Sequence, residues 1–274
     1  MSRTVVRSRI RSYRGGAFQL REDALAGEEP LEIRVGGRSL AITMRTPGHD
    51  IELVHGFLHA EGVIAGPADV VVARYCDGVD GEGRNTYNVI DVQLADGTQP
   101  LDPLRQRTVI GNSACGVCGS ASIDAIAQQT RYETPVGPVV SPETIIALPH
   151  ALRAGQADFA RTGGLHATGL ATADGTVSLV REDVGRHNAM DKVIGAALLA
   201  GQLPLADGIL VTSSRASFEL VQKAVLAGCG ILVAVSAPSS LAVDLARDRG
   251  LTLVGFTRND SFNLYSGAHR ILGS

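Results

Sequence analysis

Cysteine is scarce in this chain of 274 residues: only four occur, at positions 76, 115, 118 and 229. That is too few to brace a small secreted fold with disulfides, and it suits a reducing compartment. No apolar run approaches the ~20 residues that a membrane-spanning helix needs. The opening stretch, MSRTVVRSRIRSYRGG, lacks the apolar centre of a secretory signal. A basic excess is missing too, since the formal net charge is −3, which argues against a general nucleic-acid binder. Nor is there a P-loop, or a complete glycine fingerprint for dinucleotides after a strand. These absences lead us to expect a cytoplasmic protein with no membrane or nucleic-acid partner. With 45% hydrophobic and 19% charged residues, the composition permits a buried core and excludes disorder as the default state.

Charge is unevenly spread. Residues 1–20 hold Arg3, Arg7, Arg9, Arg11 and Arg14 with no acid, leaving −8 on the remainder. The plain expectation for residues 1–18 is a flexible, solvated basic arm; the sharper one is an arm that touches an anionic ligand or partner. Residues 19–105 read as a β-rich lobe. EIRV and SLAITM flank Gly36-Gly37 as a hairpin, a helix places Ile51, Val54, Phe57 and Leu58 on one face, and DVVVARYC and TYNVIDVQL are β-rich runs. Pro100 and Pro103 mark the link to residues 106–274.

In that second part a glycine-rich stretch, GNSACGVCGSASIDAIAQQ, leads into a helix expected near Ser120. Ser141-Pro142-Glu143 starts another helix, which Pro149 is expected to kink or break. GLHATGLAT and TVSLVRED form a hairpin around Asp174-Gly175. After the helix 186–200, strands that are apolar throughout (GILVTS, GILVAVSA, LTLVGFT) alternate with amphipathic helices, which indicates parallel strands covered on both faces. The expected fold class is therefore α/β, a sandwich with a smaller β-rich N-terminal lobe.

Open sheets of this kind bind ligands beyond the carboxyl ends of their strands. Those ends are Ser213–Ser217, Ala237–Ser240 and Phe256–Ser261, all expected on one rim. Two lead straight into helices, whose free N–H groups favour an anion, and Arg215 and Arg258 make phosphate the natural ligand. Ser217 and Ser239 or Ser240 could equally be ordinary helix caps.

Cys115-Gly116-Val117-Cys118-Gly119 is the most informative local motif. Two thiols at this spacing can share a metal, form a disulfide or pass on a sulfur atom, and a helix start nearby would favour the thiolate. Cys76 and Cys229, in strand-like runs, read as small core residues. His59-Ala60-Glu61 ahead of the C-x-x-C matches the order of zinc-dependent base deaminases, although Ala114 stands where their proline would be. In REDVGRHNAMDK, His187 and Asp191 share a helical face with Asp183 just before it, as an acid/base relay, as groups that orient a polar ligand, or as a charge network at a helix start. His166 is a site residue or a strand histidine.

CGVCG, GGLHATGL, REDVGRHNAMDKVIG, the run from ASFELVQKAVLAG to VSAPSSLAVDLARDRGLTLVGF, EEPLEIRV and TMRTPGHDIELVHGFLHAEG together resemble the formate dehydrogenase accessory sulfurtransferases, over nearly the whole chain beyond the basic arm. The resemblance implies a cytidine-deaminase-like fold for residues 106–274, without deaminase activity and with no metal ligands. It implies a cytoplasmic sulfur carrier that takes persulfide sulfur from a cysteine desulfurase. The sulfur passes to the molybdenum cofactor, Mo-bis(molybdopterin guanine dinucleotide), before that cofactor enters the formate dehydrogenase catalytic subunit. By position Cys115 would carry the persulfide and Cys118 assist. Phe256, Thr257, Arg258, Asn259, Asp260 and Ser261 would contact the cofactor, though Asn259-Asp260-Ser261 is more polar and acidic than the family's usual version. A homodimer is implied as well. A thiol-disulfide oxidoreductase and a cofactor-holding chaperone remain the other readings.

Overall fold

The structure, a computed structural model, describes residues 4–76, 78, 87–98 and 131–274. The C-x-x-C pair, the helix expected near Ser120 and the link at Pro100 and Pro103 lie outside the described residues.

Apolar strands set the larger sheet. β9 (Ile209–Thr212) and β10 (Ile231–Ala234) are buried at every position, as expected for strands covered on both faces. They pair in parallel with each other, and β10 pairs in parallel with β11 (Thr252–Arg258). β12 (Ser261–Ser266) returns antiparallel along β11. On the other side the hairpin of β7 (His166–Ala171) and β8 (Val177–Asp183) joins β9 through β7, completing six strands in the order β12-β11-β10-β9-β7-β8.

Leu210, Leu232 and Leu253 face a cluster built by α4 (Arg186–Leu199), α5 (Phe218–Leu226) and α6 (Ser240–Asp248), including Val193, Leu220, Val221 and Leu245. Val211, Val233 and Val254 face the opposite cluster, made with α2 (Pro142–Ala154). Ser141 caps α2 by accepting from the Thr144 N–H, as the sequence suggests. Pro149 does not break α2. Ile145, Leu148 and Leu152 are buried on its sheet-facing side. Three such side chains stabilise by roughly 1.5–3 kcal/mol each, against about 3 kcal/mol for an internal proline.

The N-terminal lobe is a four-stranded sheet, β4-β3-β6-β5, from β3 (Glu29–Val35), β4 (Arg38–Arg45), β5 (Val70–Tyr75) and β6 (Val89–Leu94). Its hairpin turns at Gly36 and Gly37, both at positive φ (56° and 77°), where glycine carries no steric cost. α1 (Asp50–Ala60) lays Leu53, Val54 and Leu58 on Leu31, Ile33, Ile90 and Val92. The other side of α1 meets α4 at two glycines. A methyl group at Gly56 would overlap the Asp191 carbonyl, and one at Gly195 would overlap the Glu52 carbonyl. The two backbones touch with no side-chain layer between them, so α1 and α4 form the seam joining the lobe to the larger sheet.

The basic segment departs from expectation. In place of a flexible arm, β1 (Val5–Arg14) pairs antiparallel with β2 (Ala17–Ala26) in a separate two-stranded sheet, and the boundary expected after residue 18 falls inside β2. Arg7, Arg9, Arg11 and Arg14 are exposed along this ribbon. Gly15-Gly16 at the turn and the alternation Phe18-Gln19-Leu20-Arg21 on β2 supply a hairpin signal that the arginine count concealed. α3 (Ala157–Thr162) packs beside β2.

Candidate functional site at the carboxyl rim of the large sheet

β8 and β9 both run antiparallel to β7, so β8, β9, β10 and β11 all end at one edge. Backbone hydrogen bonds tie the loops beyond those ends together. Ser236 N–H donates to the Ser214 carbonyl (3.3 Å), Ala216 N–H to Ala237 (3.2 Å), Ser239 N–H to Ala216 (3.0 Å) and Phe256 N–H to Ser236 (3.2 Å). The three segments expected to share a rim are thus bonded neighbours.

Three helices start at this edge, α4 after β8, α5 after β9 and α6 after β10, and none is capped by a side chain. Ser217 and Ser239 do occupy N-cap positions in extended conformation, yet neither hydroxyl takes a cap bond. Ser217 Oγ lies 3.3 Å from His187 Nε2 instead. At α4 and α6, whose first turns hold no acid, this leaves the first N–H groups and the positive end of the helix dipole to an anion, whereas at α5 the Glu219 carboxylate bonds its own backbone N–H.

Arg186, in the first turn of α4, has its Nε buried without a hydrogen-bond partner. His166, opposite Asp183 in the β7–β8 ladder, has its pKa lowered by burial, and then by the positive charge of Arg186 and His187. His187 also approaches Glu219 (3.7 Å) and is the main cause that holds the Glu219 carboxyl down to about 2. On the far side, β11 bulges between Gly255 and Arg258. Phe256 and Asn259 take positive φ (53° and 56°), costly for residues with a Cβ and characteristic of functional turns. The Arg258 guanidinium lies 5.9 Å from the Phe256 ring centre, and the Thr257 hydroxyl is fully buried without a partner. Arg215 and Arg258 are exposed. The arrangement gathers hydrogen-bond donors and positive charge along one edge, which suits a phosphate-bearing ligand.

Below the rim, buried ion pairs fix the helix starts. The fully buried Asp183 carboxylate accepts from Lys192 Nζ (2.7 Å), Thr46 N–H (3.1 Å), Gly185 N–H (2.8 Å) and Asn188 Nδ2 (3.2 Å). Asp191 does not form a relay with His187. Both of its oxygens accept from Lys223 Nζ (2.7 and 2.9 Å), within the interior between α4 and α5. Asp183 and Asp191 are structural, and Arg186 and His187 are the residues of this motif that reach the rim. The Asp183–Lys192 pair was not singled out from the sequence. Its members stand nine residues apart on a strand and a helix, a spacing with no periodic signature.

Cys229 is buried and its thiol is pushed up to about 11 by burial, consistent with a core residue. Cys76 is only half-buried, a departure from the core position expected of it. His59 is buried on α1 with Nδ1 unpartnered. Among the described residues no three His, Cys, Asp or Glu side chains gather as metal ligands, and the cysteine half of the zinc reading lies outside them. Among the described residues no helix is long and apolar enough to cross a membrane.

A model of the FdhD/NarQ family matches residues 26–272. Curated relatives named sulfur carrier protein FdhD are 58% identical in Nocardia farcinica (92% of this chain, 89% of that one) and 54% identical in Streptomyces coelicolor (99% and 97%). Another, from Anaeromyxobacter dehalogenans, is 48% identical (98% and 92%). A crystal structure from Desulfotalea psychrophila, described as a candidate formate dehydrogenase accessory protein, shares the fold with a TM-score of 0.75 at 23% identity, covering 98% of this chain and 100% of that one.

Proposed function

Because the chain belongs to the FdhD/NarQ family, we propose that it is a sulfur carrier for formate dehydrogenase maturation, loading the molybdenum cofactor with sulfur before the cofactor enters the enzyme. Its substrate is Mo-bis(molybdopterin guanine dinucleotide), its sulfur donor a cysteine desulfurase, and its client the formate dehydrogenase catalytic subunit. We place the reaction in the cytoplasm, on a homodimer, and read the six-stranded half as cytidine-deaminase-like in layout.

The observation that carries this reading is the convergence of three uncapped helix starts on a rim with Arg186, Arg215, Arg258 and the unpartnered Thr257 hydroxyl. A bis-dinucleotide carries several phosphates, and such a rim supplies N–H donors and guanidinium groups for them. Phe256–Ser261 is the segment assigned to cofactor contact.

Sulfur moves by thiol exchange. The Cys115 thiolate attacks the terminal sulfur of the donor's persulfide. A new S–S bond forms on Cys115, the donor's S–S bond breaks, and the donor cysteine leaves as a thiolate, so no external oxidant or reductant is needed. Cys118 assists as a resolving thiol or in presenting the loop. The Cys115 Sγ–S bond then breaks, returning Cys115 to a thiolate, while the outer sulfur takes two electrons from the reduced molybdenum of the cofactor substrate and becomes its sulfido ligand.

Mass spectrometry after incubation with a cysteine desulfurase and cysteine tests the proposal. The expected result is one added sulfur atom on Cys115, lost in Cys115→Ala while cofactor binding persists. Sulfur retained by Cys115→Ala would refute the carrier assignment. Cofactor binding without any sulfur gain would leave a holding chaperone. At the rim, Arg258→Ala should weaken cofactor binding roughly 10- to 100-fold, the range of one lost charge-assisted hydrogen bond. Unchanged affinity by titration would remove Arg258 from the site.

A further inference from the structure

The β1–β2 ribbon stands apart from both larger sheets. Its residues up to Leu25 precede the part of the chain that the family model matches. Pairing places Arg7, Arg9, Arg11 and Tyr13 on one face opposite Ala24, Glu22, Leu20 and Phe18. Arg7 binds Glu22 (2.8 Å), while Arg21, on the other face, binds Asp23 (2.8 Å). Arg9 and Arg11 are exposed on the first face, two residues apart, so their side chains project in the same direction. At the tip the Tyr13 and Phe18 rings pack with centres 5.1 Å apart, and Tyr13, Phe18 and Leu20 remain 63%, 72% and 77% exposed. An exposed aromatic cluster beside arginines is the composition of an interface.

The base of the ribbon adjoins the rim. A methyl at Gly164, two residues before His166, would touch Ala26, and one at Gly48 would touch Thr4. Gly48 in turn follows Thr46, whose N–H is held by Asp183 beneath the α4 start. The ribbon is thus rooted beside the edge where the three helix starts converge, with its tip projecting from that root.

We infer that the Arg9–Arg11–Tyr13–Phe18 face of the hairpin docks an acidic surface of the apoenzyme that receives the rim-bound ligand. This rests on the proposed carrier function. The occupant follows from charge and place: residues 4–27 carry five arginines against two acids, whereas the chain as a whole is net −3. A basic, aromatic-tipped ribbon at the margin of the ligand site fits the protein to which that ligand must pass. The arginines steer the encounter and the rings supply the desolvated contact.

The test measures binding of the full chain to purified molybdenum-free formate dehydrogenase catalytic subunit by biolayer interferometry, with sulfur loading of Cys115 followed in parallel. Arg9→Glu/Arg11→Glu should weaken binding at least about tenfold, and Arg9→Lys/Arg11→Lys should restore most of it. Wild-type affinity should fall about tenfold between roughly 0.05 M and 0.3 M salt, and loading of Cys115 should be unchanged in both variants. Equal binding by wild type and the Glu variant overturns the inference. It is also overturned if a single-stranded oligonucleotide binds the ribbon more tightly than the subunit does. A charge reversal that only splits a homodimer, seen by sedimentation, assigns the ribbon to a second copy and likewise overturns it. Should wild type load sulfur yet ignore the subunit, the docking inference fails alone; should it neither load sulfur nor bind cofactor, the carrier reading fails.

Discussion

His59 shows how burial sets a residue's chemistry. Desolvation is the first cause that drives its pKa down to about 4, with the charges of Arg131 and Lys223 adding to it. Between that value and the ordinary one near 6.5, the unfolded chain takes up a proton that the folded chain refuses. Stability present above about pH 6.5 should therefore fall as the pH drops toward 4. His59→Leu should lessen the loss between pH 7 and pH 4.5 by about 2 kcal/mol, as measured by urea denaturation at each pH; parallel pH profiles would contradict this. The buried Asp183–Lys192 pair makes a second case. Lys192→Met leaves a carboxylate buried without its counter-charge and should cost about 3–5 kcal/mol, part of which Asp183→Asn restores in the double variant. Residue chemistry was only partly legible in the sequence. Cys229 read correctly as core, because its apolar run CGILVAV forms a fully buried strand. The roles of Asp183 and Asp191 depended on Lys192 and Lys223, partners supplied by tertiary packing that no local spacing announces.

At the scale of elements, α1 and α4 cross where Gly56 and Gly195 bring their backbones together. Helix propensity alone predicts that Gly195→Ala stabilises by about 1 kcal/mol. The crossing predicts the opposite sign, a loss of at least about 3 kcal/mol, because the methyl meets the Glu52 carbonyl and the Gly56 nitrogen rather than a side chain that can turn aside. Thermal melting of Gly195→Ala decides between them. The parallel strands and their helices were legible because continuous apolar runs admit few other arrangements in a sheet covered on both faces. The same pattern brought Ser213–Ser217, Ala237–Ser240 and Phe256–Ser261 to one rim. Two elements were misread where a local rule was overruled. Pro149 sits inside α2 because its neighbours' burial outweighs the lost bond, and the arginine-rich segment forms a ribbon because the Gly15-Gly16 turn folds it back onto ten paired positions.

Over the whole molecule, α1 is shared. One side covers the four-stranded sheet and the other lies against α4, which itself covers the six-stranded sheet. The two sheets should therefore lose their structure together, in one calorimetric transition whose van't Hoff and measured enthalpies agree. Two resolved transitions would show that the lobe folds on its own. The seam also bears on engineering. Anyone wishing to graft the ligand-holding half onto another scaffold would have to carry α1 along. A cut between the halves would bare a glycine-lined groove whose contour was shaped to one helix, and with it Leu198 of α4, which is seated among the lobe's own apolar side chains.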